Sequence, residues 1–154
     1  QSVGMMTAVN LSDVVISKKE IEGMEFMAVV TAGVGNAVDI TKTELCQTPV
    51  AIGTINIILF IDAHLSDGGL VNAMMSATEA KVKALHDLKV QDLKTGTIAT
   101  GTSTDAMVLA VTQQGEKTPY AGSGTIIGKG IGHLVYEGVT KAIHKYQKRI
   151  GQHI

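Results

Sequence analysis

Hydrophobic and polar residues divide the middle of the chain into a strand, a turn and a helix. Residues 54–62 form an almost unbroken apolar run that ends on Asp62. Such a run predicts a strand that is buried on both faces. The next residues include turn formers and two candidate helix caps, Ser66 and Asp67. Residues 70–88 contain no Pro or Gly and are rich in helix-forming residues, so a helix is predicted there.

The predicted helix has large apolar side chains on one face and alanines on the opposite face. A polar stripe of Asn72, Glu79 and His86 runs between the two faces, at about 100° per residue. A helix that is apolar or small nearly all round is typically buried. We therefore expect Glu79 to be at least half buried and to act as a general base. A solvated Glu79 paired with Lys83 is the alternative. The two faces comprise Val71, Met74, Met75, Thr78, Val82 and Leu85, and Ala73, Ala77, Ala80 and Ala84.

The remaining pattern predicts an α+β fold. Strands are expected at residues 3–9, 14–17, 24–32 and 106–112, with a turn at Glu22 and Gly23 that pairs the second and third as a hairpin. A second long helix is expected to end near Gln147. We predict a single domain with a largely antiparallel sheet of five or six strands and two main helices packed on it. The early strands argue against a doubly wound parallel sheet.

Two Gly-rich loops are candidates for ligand binding. Residues 33–37 are either a binding loop or an ordinary wide turn. In residues 95–105, six of eleven are Thr or Ser and the run ends on Asp105. Hydroxyls offer donors and acceptors, with Asp105 as an acceptor or base, although Thr is also a good strand former. The candidate substrate-binding residues are Gly33, Gly35, Asn36, Asn56, His64, Asn72, Gly101, Thr102, Ser103 and Thr104.

Composition narrows the classes of function. The 154 residues carry a net charge of −1 and only 3 % aromatic residues, which argues against nucleic-acid binding. No apolar run reaches the roughly 18 residues of a membrane span. The one cysteine, Cys46, excludes a cysteine zinc cluster, and the five histidines show no metal-ligand spacing. We therefore expect a cytoplasmic protein that needs no metal or cofactor, and a homo-oligomer is compatible with this composition.

The chemistry that remains rests on carboxylates at the ends of predicted elements. Asp62, Glu79 and Asp105 are the candidate catalytic residues, with Glu79 preferred and Asp105 second. One of them would activate water, and backbone N–H groups of the Gly-rich loops would stabilise an oxyanion. Because strand ends commonly carry the site in α/β scaffolds, we expect it beyond the C-terminal end of strand 54–62.

Several sequence blocks together resemble the adenosylcobinamide amidohydrolase family of corrinoid salvage. The blocks include Gly4-Met-Met-Thr-Ala-Val9, Thr31-Ala-Gly-Val-Gly-Asn-Ala37, Asp62-Ala-His-Leu-Ser66, Ala77-Thr-Glu-Ala-Lys81 and Ala99-Thr-Gly-Thr-Ser-Thr-Asp105. The resemblance implies hydrolysis of the amide that joins aminopropanol to the corrin ring of adenosylcobinamide. The products would be adenosylcobyric acid and 1-amino-2-propanol. It also implies that residues 1–154 are one amidohydrolase-like domain that lacks an N-terminal segment found in other members.

Two other functions fit the same sequence. In the first, the Gly-rich loops bind a corrinoid or a nucleotide and no reaction follows. In the second, the chain is a structural subunit, and the alanine face of the central helix packs against a partner protein. Release of aminopropanol separates the hydrolase from the binding module, whereas the structural subunit predicts a stable oligomer and no ligand.

Overall fold

The computed structural model describes residues 2–42 and 52–151. Cys46 and Pro49 lie outside these ranges. In chain order, the elements are a short 3₁₀ turn (Leu11–Asp13), β1 (Val15–Ile21), β2 (Met24–Ala32), β3 (Ala37–Val38), β4 (Ile55–Ile61), β5 (His64–Leu65), α1 (Asp67–Asp87), β6 (Gly101–Thr102), β7 (Ala106–Val111), β8 (Lys117–Thr118) and α2 (Ile126–Arg149).

The predicted hairpin at the start of the chain is confirmed. Glu22 and Gly23, which connect β1 to β2, have φ angles of 50° and 79°. Two successive positive φ angles are typical of a type I′ turn, whose twist matches the twist of the paired strands. β1 and β2 consequently pair in register from Val15 opposite Val30 to Ile21 opposite Met24.

Four strands form the main sheet, in the order β1-β2-β4-β7. β2 pairs antiparallel with both β1 and β4, whereas β4 and β7 are parallel. Two short ribbons, β3 with β6 and β5 with β8, close the opposite ends of the molecule. The α+β class and the largely antiparallel sheet are thus confirmed. The main sheet has four strands and not the expected five or six, because the remaining short strands form the two ribbons.

Both long helices begin at capped N-termini. The Ser66 hydroxyl accepts a hydrogen bond from the Gly69 N–H at 3.0 Å, as expected for one of the two predicted caps. The Thr125 hydroxyl accepts from the Gly128 N–H at 3.0 Å. Because both caps are side chains that need only local backbone geometry, each helix start is defined by a short stretch of sequence.

One face of the sheet carries the core and both helices. The inward residues of β4, from Ile55 to Ile61 at alternate positions, are at most 2 % exposed. Gly130 and Gly138 let α2 approach β2, because a Cβ at either would lie within 3 Å of Phe26 or Val30 respectively. In α1 the buried face is the alanine row, which packs beside α2. The alternative in which this row packs against a partner protein is therefore wrong.

The prediction that strand 54–62 is buried on both faces is not met on the face of the sheet away from the helices. Ile58 and Phe60 of β4 point to this face, and Phe60 is 40 % exposed. On the neighbouring edge strand, Ile16 is 61 % exposed. The apolar run was expected to be covered on both faces, but the second face is covered only at the start of β4, where Asn56 is buried and donates to the Met6 carbonyl.

Two further expectations are corrected. Residues 3–9 form no strand and follow an irregular path beside the sheet. The large apolar face of α1, apart from the buried Leu85, is turned outward, with Val71 63 % and Met75 55 % exposed. Small side chains allow α1 and α2 to approach closely, and this close packing favours burial of the alanine row over burial of the larger apolar stripe.

Neither α1 nor α2 has a stretch long and apolar enough to span a bilayer, within the residues described.

Candidate functional site

A polar cluster lies where β4 and β7 begin. It is formed by the loop after β2, the residues before β4, the loop that leads into β7, and one side chain from the middle of α1. We call it the Asp105 cluster. Its members are Asn36, Gly53, Thr54, Lys81, Gly101, Thr102, Ser103, Thr104 and Asp105.

Asp105 is held by donors on both carboxylate oxygens. Its Oδ1 accepts from the backbone N–H of Ile55 and of Thr102, each at 3.1 Å, and from the Thr102 hydroxyl at 2.5 Å. Its Oδ2 accepts from Lys81 Nζ at 2.5 Å. These bonds fix the carboxylate and close the turn that precedes β7. The carboxylate orientation is therefore set before any ligand binds.

Lys81 reaches this carboxylate from the middle of α1. The side chains of Lys81 and Asp105 are 13 % and 17 % exposed, so the ion pair is largely withdrawn from water yet still reachable. An ammonium group carries three N–H donors, and Asp105 accounts for one of them among the described residues. The remaining donors are suited to a carbonyl oxygen or an oxyanion.

Gly101 leaves the space that the ion pair occupies. A Cβ at this position would lie 2.5 Å from Asp105 Oδ2 and 2.9 Å from Lys81 Nζ. Such distances are too short for non-bonded contact, so any side chain here displaces one of the two charged groups. This is the physical reason for a glycine beside the pair.

Ser103 is the exposed hydroxyl of the cluster and is oriented by a buried amide. Asn36 is 9 % exposed and its Nδ2 donates to Ser103 Oγ at 2.8 Å. Because the hydroxyl oxygen accepts this bond, its own O–H is left to donate elsewhere. Gly53 is required next to Asn36, since a Cβ there would collide with Asn36 Oδ1 and the carbonyl oxygen of Gly33.

Threonines fasten the loops of the cluster to each other. Thr54 Oγ1 donates to the Thr104 carbonyl at 2.8 Å, and Thr104 Oγ1 donates to the Gly53 carbonyl at 3.0 Å. Asn56, one residue into β4, donates through Nδ2 to the Met6 carbonyl at 2.7 Å. The N-terminal segment is thereby tied to the same end of the sheet.

Within the described ranges, no three His, Cys, Asp or Glu side chains come together in a way that would hold a metal ion. The cluster offers instead one carboxylate, one ammonium group, hydroxyls and an amide. Those groups are suited to proton transfer and to the binding of a polar, amide-bearing molecule.

Comparison with known proteins gives the family. Residues 1–151 match the family described as adenosylcobinamide amidohydrolase. The chain belongs to the adenosylcobinamide amidohydrolase family. The resemblance seen in the sequence blocks is thus confirmed.

Two curated relatives support this membership. The chain is 35 % identical to the adenosylcobinamide amidohydrolase of Methanosarcina mazei over 90 % of its own length and 64 % of that protein. It is 30 % identical to an uncharacterized protein of Methanocaldococcus jannaschii over 94 % of the chain and 63 % of that protein. The chain therefore spans less than two thirds of the length of either relative.

For this member of the adenosylcobinamide amidohydrolase family, the structure gathers many of the predicted site residues in one place. Asn36, Gly101, Thr102, Ser103, Thr104 and Asp105 belong to the cluster, and Asn56 adjoins it. Gly33 donates its N–H to the Thr54 carbonyl at 2.9 Å and lies against Val9 and Tyr146, while Gly35 is in the same loop.

Other predicted residues lie elsewhere. Asp62 is at the far end of β4, where it accepts from the Thr112 hydroxyl at 2.7 Å. His64 Nδ1 lies 3.3 Å from the Gly115 carbonyl oxygen, also at that end. Asn72 Oδ1 accepts from the Ala121 N–H at 3.0 Å and so holds the loop before α2. The cluster lies at the N-terminal ends of β4 and β7, which is the opposite end of β4 from the one where the site was expected.

The predicted burial of Glu79 is wrong. Its side chain is exposed, and no described residue donates a hydrogen bond to it. Glu79 and Lys81 flank the buried Ala80 at about 100° on either side of the helix. The loop that carries Asp105 covers only the Lys81 side.

Lys81 is the residue that the sequence analysis overlooked. It occurs in one of the resemblance blocks, but it was not assigned a role. Lys81 directly follows Ala80 of the alanine row, and this position predicts a partly enclosed lysine once the alanine row is the buried face of α1.

Proposed function

We propose that this chain hydrolyses the amide between aminopropanol and the corrin ring of adenosylcobinamide, and that the reaction occurs at the Asp105 cluster. The products are adenosylcobyric acid and 1-amino-2-propanol. Family membership supports the reaction. The observation that supports this site is the Lys81–Asp105 ion pair at 2.5 Å, beside an oriented and exposed hydroxyl.

In the proposed mechanism Asp105 activates water. Oδ2 accepts a proton from a water molecule as the water oxygen forms a bond to the amide carbon. Lys81 donates N–H hydrogen bonds to the amide oxygen and stabilises the negative charge that develops there. The carbon–nitrogen bond then breaks, and the protonated Asp105 returns its proton to the departing nitrogen. The acid and the amine are formed with no other reactant.

The hydroxyls and the amide of the cluster position the substrate. Ser103 accepts from Asn36 and donates its own O–H to the carbonyl or to another amide of the substrate. Thr104 is exposed on the same turn, but its hydroxyl already donates to the Gly53 carbonyl, so its oxygen can only accept a hydrogen bond from the substrate. Rigid placement matters because hydrolysis of an unstrained amide needs a close and fixed approach of water.

We prefer Asp105 to the other two candidate bases on geometry. Asp62 lies at the opposite end of β4, about 20 Å away at the usual rise of a strand. Glu79 is exposed, and its side chain leaves α1 about 160° round the helix from Lys81. Of the three carboxylates, only Asp105 is paired with an ammonium group in a partly enclosed place.

One observation favours the alternative of a corrinoid or nucleotide binding module without a reaction. Asp105 already accepts four hydrogen bonds, so it must lose or share a donor before it takes a proton. In the hydrolase, the substrate carbonyl draws Lys81 toward itself and releases Oδ2. In the binding module, the ion pair remains intact when the ligand is bound.

The test combines binding and turnover on one preparation. The protein is titrated with adenosylcobinamide while the visible spectrum of the corrinoid is followed, and 1-amino-2-propanol is quantified by mass spectrometry. The hydrolase predicts both a spectral change and release of the amine. Binding without release identifies the binding module. A folded protein that gives no spectral change up to about 1 mM, the upper end of usual KM values, contradicts the corrinoid proposal.

The proposed reaction needs no metal ion of the protein. We expect the rate of amine release to be unchanged after dialysis against EDTA. A loss of rate that zinc or another divalent ion restores would contradict this. The cobalt of the corrinoid belongs to the substrate and is unaffected by the treatment.

A further inference from the structure

Three strongly exposed apolar side chains stand around the Asp105 cluster. Met6, Ile40 and Ile52 are 94 %, 84 % and 75 % exposed. Among the described residues at the Asp62 end, no large apolar side chain is as exposed, and the highest value there is 67 % for Tyr120. Single apolar residues scattered over a surface are ordinary, whereas a group of them beside a polar cluster marks an interaction site. We call Met6, Ile40 and Ile52 the apolar rim.

Met6 is anchored beside the cluster by a buried asparagine. Asn56 Nδ2 donates to the Met6 carbonyl at 2.7 Å, and Asn56 lies opposite Ala106, the residue that follows Asp105. The Met6 backbone is therefore separated from the start of β7 by one asparagine side chain and one strand spacing of about 4.8 Å. A side chain so anchored stays exposed next to the site.

Ile40 and Ile52 are held in the same neighbourhood by their own backbone or by that of the next residue. The Ile40 N–H donates to the Thr100 hydroxyl at 3.1 Å, and Thr100 directly precedes the glycine of the cluster on β6. Ile52 precedes Gly53, whose carbonyl accepts from the Thr104 hydroxyl at 3.0 Å. All three members of the apolar rim thus belong to segments that are hydrogen-bonded to the cluster or to a residue next to it.

The proposed substrate carries a large ring that needs such a surface. The corrin ring of adenosylcobinamide is joined to the scissile amide by a short side chain, so the ring lies close to Asp105 whenever the amide reaches Lys81. Sites for ligands of this kind are lined mainly by apolar side chains, with a few polar groups that fix the orientation. The Asp105 cluster contains only polar residues and glycines, so the apolar contact has to come from the residues around it.

We propose that the apolar rim is the subsite for the corrin ring, and that Met6, Ile40 and Ile52 determine how tightly the ring is held. This inference rests on the proposed function, because it takes the corrinoid as the ligand. Methionine is suited to the contact, since its flexible and polarizable side chain adapts to an irregular surface. The high exposure of all three side chains leaves most of their apolar area to be covered by the ring.

The experiment measures binding of the ring without hydrolysis. Adenosylcobyric acid, the proposed product, has the corrin ring but not the scissile amide. It is titrated into the purified protein while the visible spectrum of the corrinoid is followed. Covering one exposed Met or Ile side chain is worth about tenfold or more in affinity, so Met6→Ser and Ile40→Ser should each raise the Kd at least about tenfold. Ile52→Ser is the third variant, with the same expected result.

Val71→Ser is the matched control, because Val71 is an exposed aliphatic residue near the start of α1, at the Asp62 end. Its Kd should equal that of the wild-type protein. All four substitutions replace exposed side chains, so the thermal midpoints should stay close to that of the wild type. An unchanged Kd in Met6→Ser, Ile40→Ser and Ile52→Ser overturns the subsite, as does an equal rise of the Kd in Val71→Ser.

Amine release from adenosylcobinamide, measured on the same variants, separates failure of the subsite from failure of the hydrolysis. The subsite predicts a higher KM with a kcat within about threefold of the wild type, because the lost contact holds substrate and transition state alike. Normal turnover and an unchanged KM in the rim variants overturn the subsite alone. A wild-type protein that releases no amine, while the rim variants bind the ring more weakly than it does, contradicts the hydrolysis and supports the subsite.

Discussion

Asp105 and Asp62 stand at opposite ends of the same pair of parallel strands, and their surroundings differ. Asp105 precedes β7 and is bound by two backbone N–H groups, one hydroxyl and one ammonium group. Asp62 follows β4 and accepts one side-chain hydrogen bond, from Thr112. The Asp105 end pairs a partly buried lysine with its carboxylate, whereas the carboxylate at the Asp62 end lies at the edge of an open groove.

The Asp62 end uses its polar groups to complete the fold. Both helices begin there, and the hydroxyls of Ser66 and Thr125 are consumed in capping them. Asn72 holds the backbone of Ala121, and the Ser76 hydroxyl donates to the Ala121 carbonyl at 2.8 Å. Similar residue types therefore serve different purposes at the two ends of these strands. A polar loop becomes a candidate site where it brings opposite charges together within reach of solvent, as Lys81 and Asp105 are.

The largest expected effect comes from removing the cation at the Asp105 end. Lys81→Met should lower the rate of amine release by two to four powers of ten, because the oxyanion loses its charged donor. It should also destabilise the fold by about 3 kcal/mol, since Asp105 is left without its partner. Rates and chemical unfolding of the purified variant check both effects.

A double variant separates these two effects. Lys81→Met combined with Asp105→Asn removes the unpaired charge, so stability should recover while activity stays low. Lys83→Met is the matched control, because Lys83 lies on the exposed side of the same helix and pairs with Asp87. Full activity in Lys81→Met would show that the ion pair is only structural.

A smaller effect is expected from Gly101. Gly101→Ala forces the methyl group into the space of Asp105 Oδ2 and Lys81 Nζ. We expect a loss of 1–3 kcal/mol in stability, roughly the range for overpacking. We also expect a fall of about tenfold or more in amine release, because displaced groups no longer meet the substrate correctly.

Gly132→Ala is the control for this change. Gly132 is in α2, and a Cβ there would meet nothing within 4 Å. Alanine is the better helix former, so this variant should gain about 0.5–1 kcal/mol and keep its rate. Equal losses of stability and of amine release in both variants would show that the close contacts of a Cβ at Gly101 do not affect the site.

Local structure was well predicted by the sequence because it depends on neighbouring residues. The turn at Glu22 and Gly23, the Ser66 cap, and the strands at β2 and β4 are examples. Each follows from turn chemistry, hydroxyl capping or an apolar run within about ten residues. The expected strand at 3–9 failed because the segment is tied to the sheet by single bonds, such as Asn56 to Met6, and not by a ladder.

The candidate site could be predicted only in part, because its assembly depends on how distant elements pair. The hydroxyl-rich loop and Asp105 were singled out, and they do meet Asn36. Asp62 was expected near these residues. Whether the end of β4 meets the start of β7 depends on whether the two strands are antiparallel or parallel, and neither strand alone determines this. Glu79 was preferred because the larger apolar stripe of α1 was expected to face inward. Close packing against α2 selected the alanine row instead, and that rotation exposed Glu79 and enclosed Lys81.

The smallest expected effect concerns acid stability behind the Asp105 end. Hydrogen bonds from Thr41 and Thr97 hold the pKa of Asp39, next to β3, at about 2, below its ordinary 3.8. A carboxyl with a lowered folded-state pKa stabilises the fold above its unfolded pKa, and this contribution is lost as the pH falls toward about 2.

Asp39→Asn should therefore reduce the fall in unfolding free energy between about pH 4 and pH 2, which urea titrations at several pH values measure. Glu116→Gln, an exposed residue at the Asp62 end, is the control. An unchanged pH dependence in Asp39→Asn would show that the Thr41 and Thr97 contacts are not maintained in solution.

The most direct test of the account compares the three carboxylates as amide variants. Aminopropanol release from adenosylcobinamide and the thermal midpoint are measured for Asp105→Asn, Asp62→Asn and Glu79→Gln. We expect Asp105→Asn to lose two to four powers of ten in rate. Asp62→Asn and Glu79→Gln should stay within about threefold of the wild type, as exposed substitutions usually do. Normal turnover in a folded Asp105→Asn, with a large loss in Asp62→Asn or Glu79→Gln, would contradict the assignment of the site to the Asp105 end.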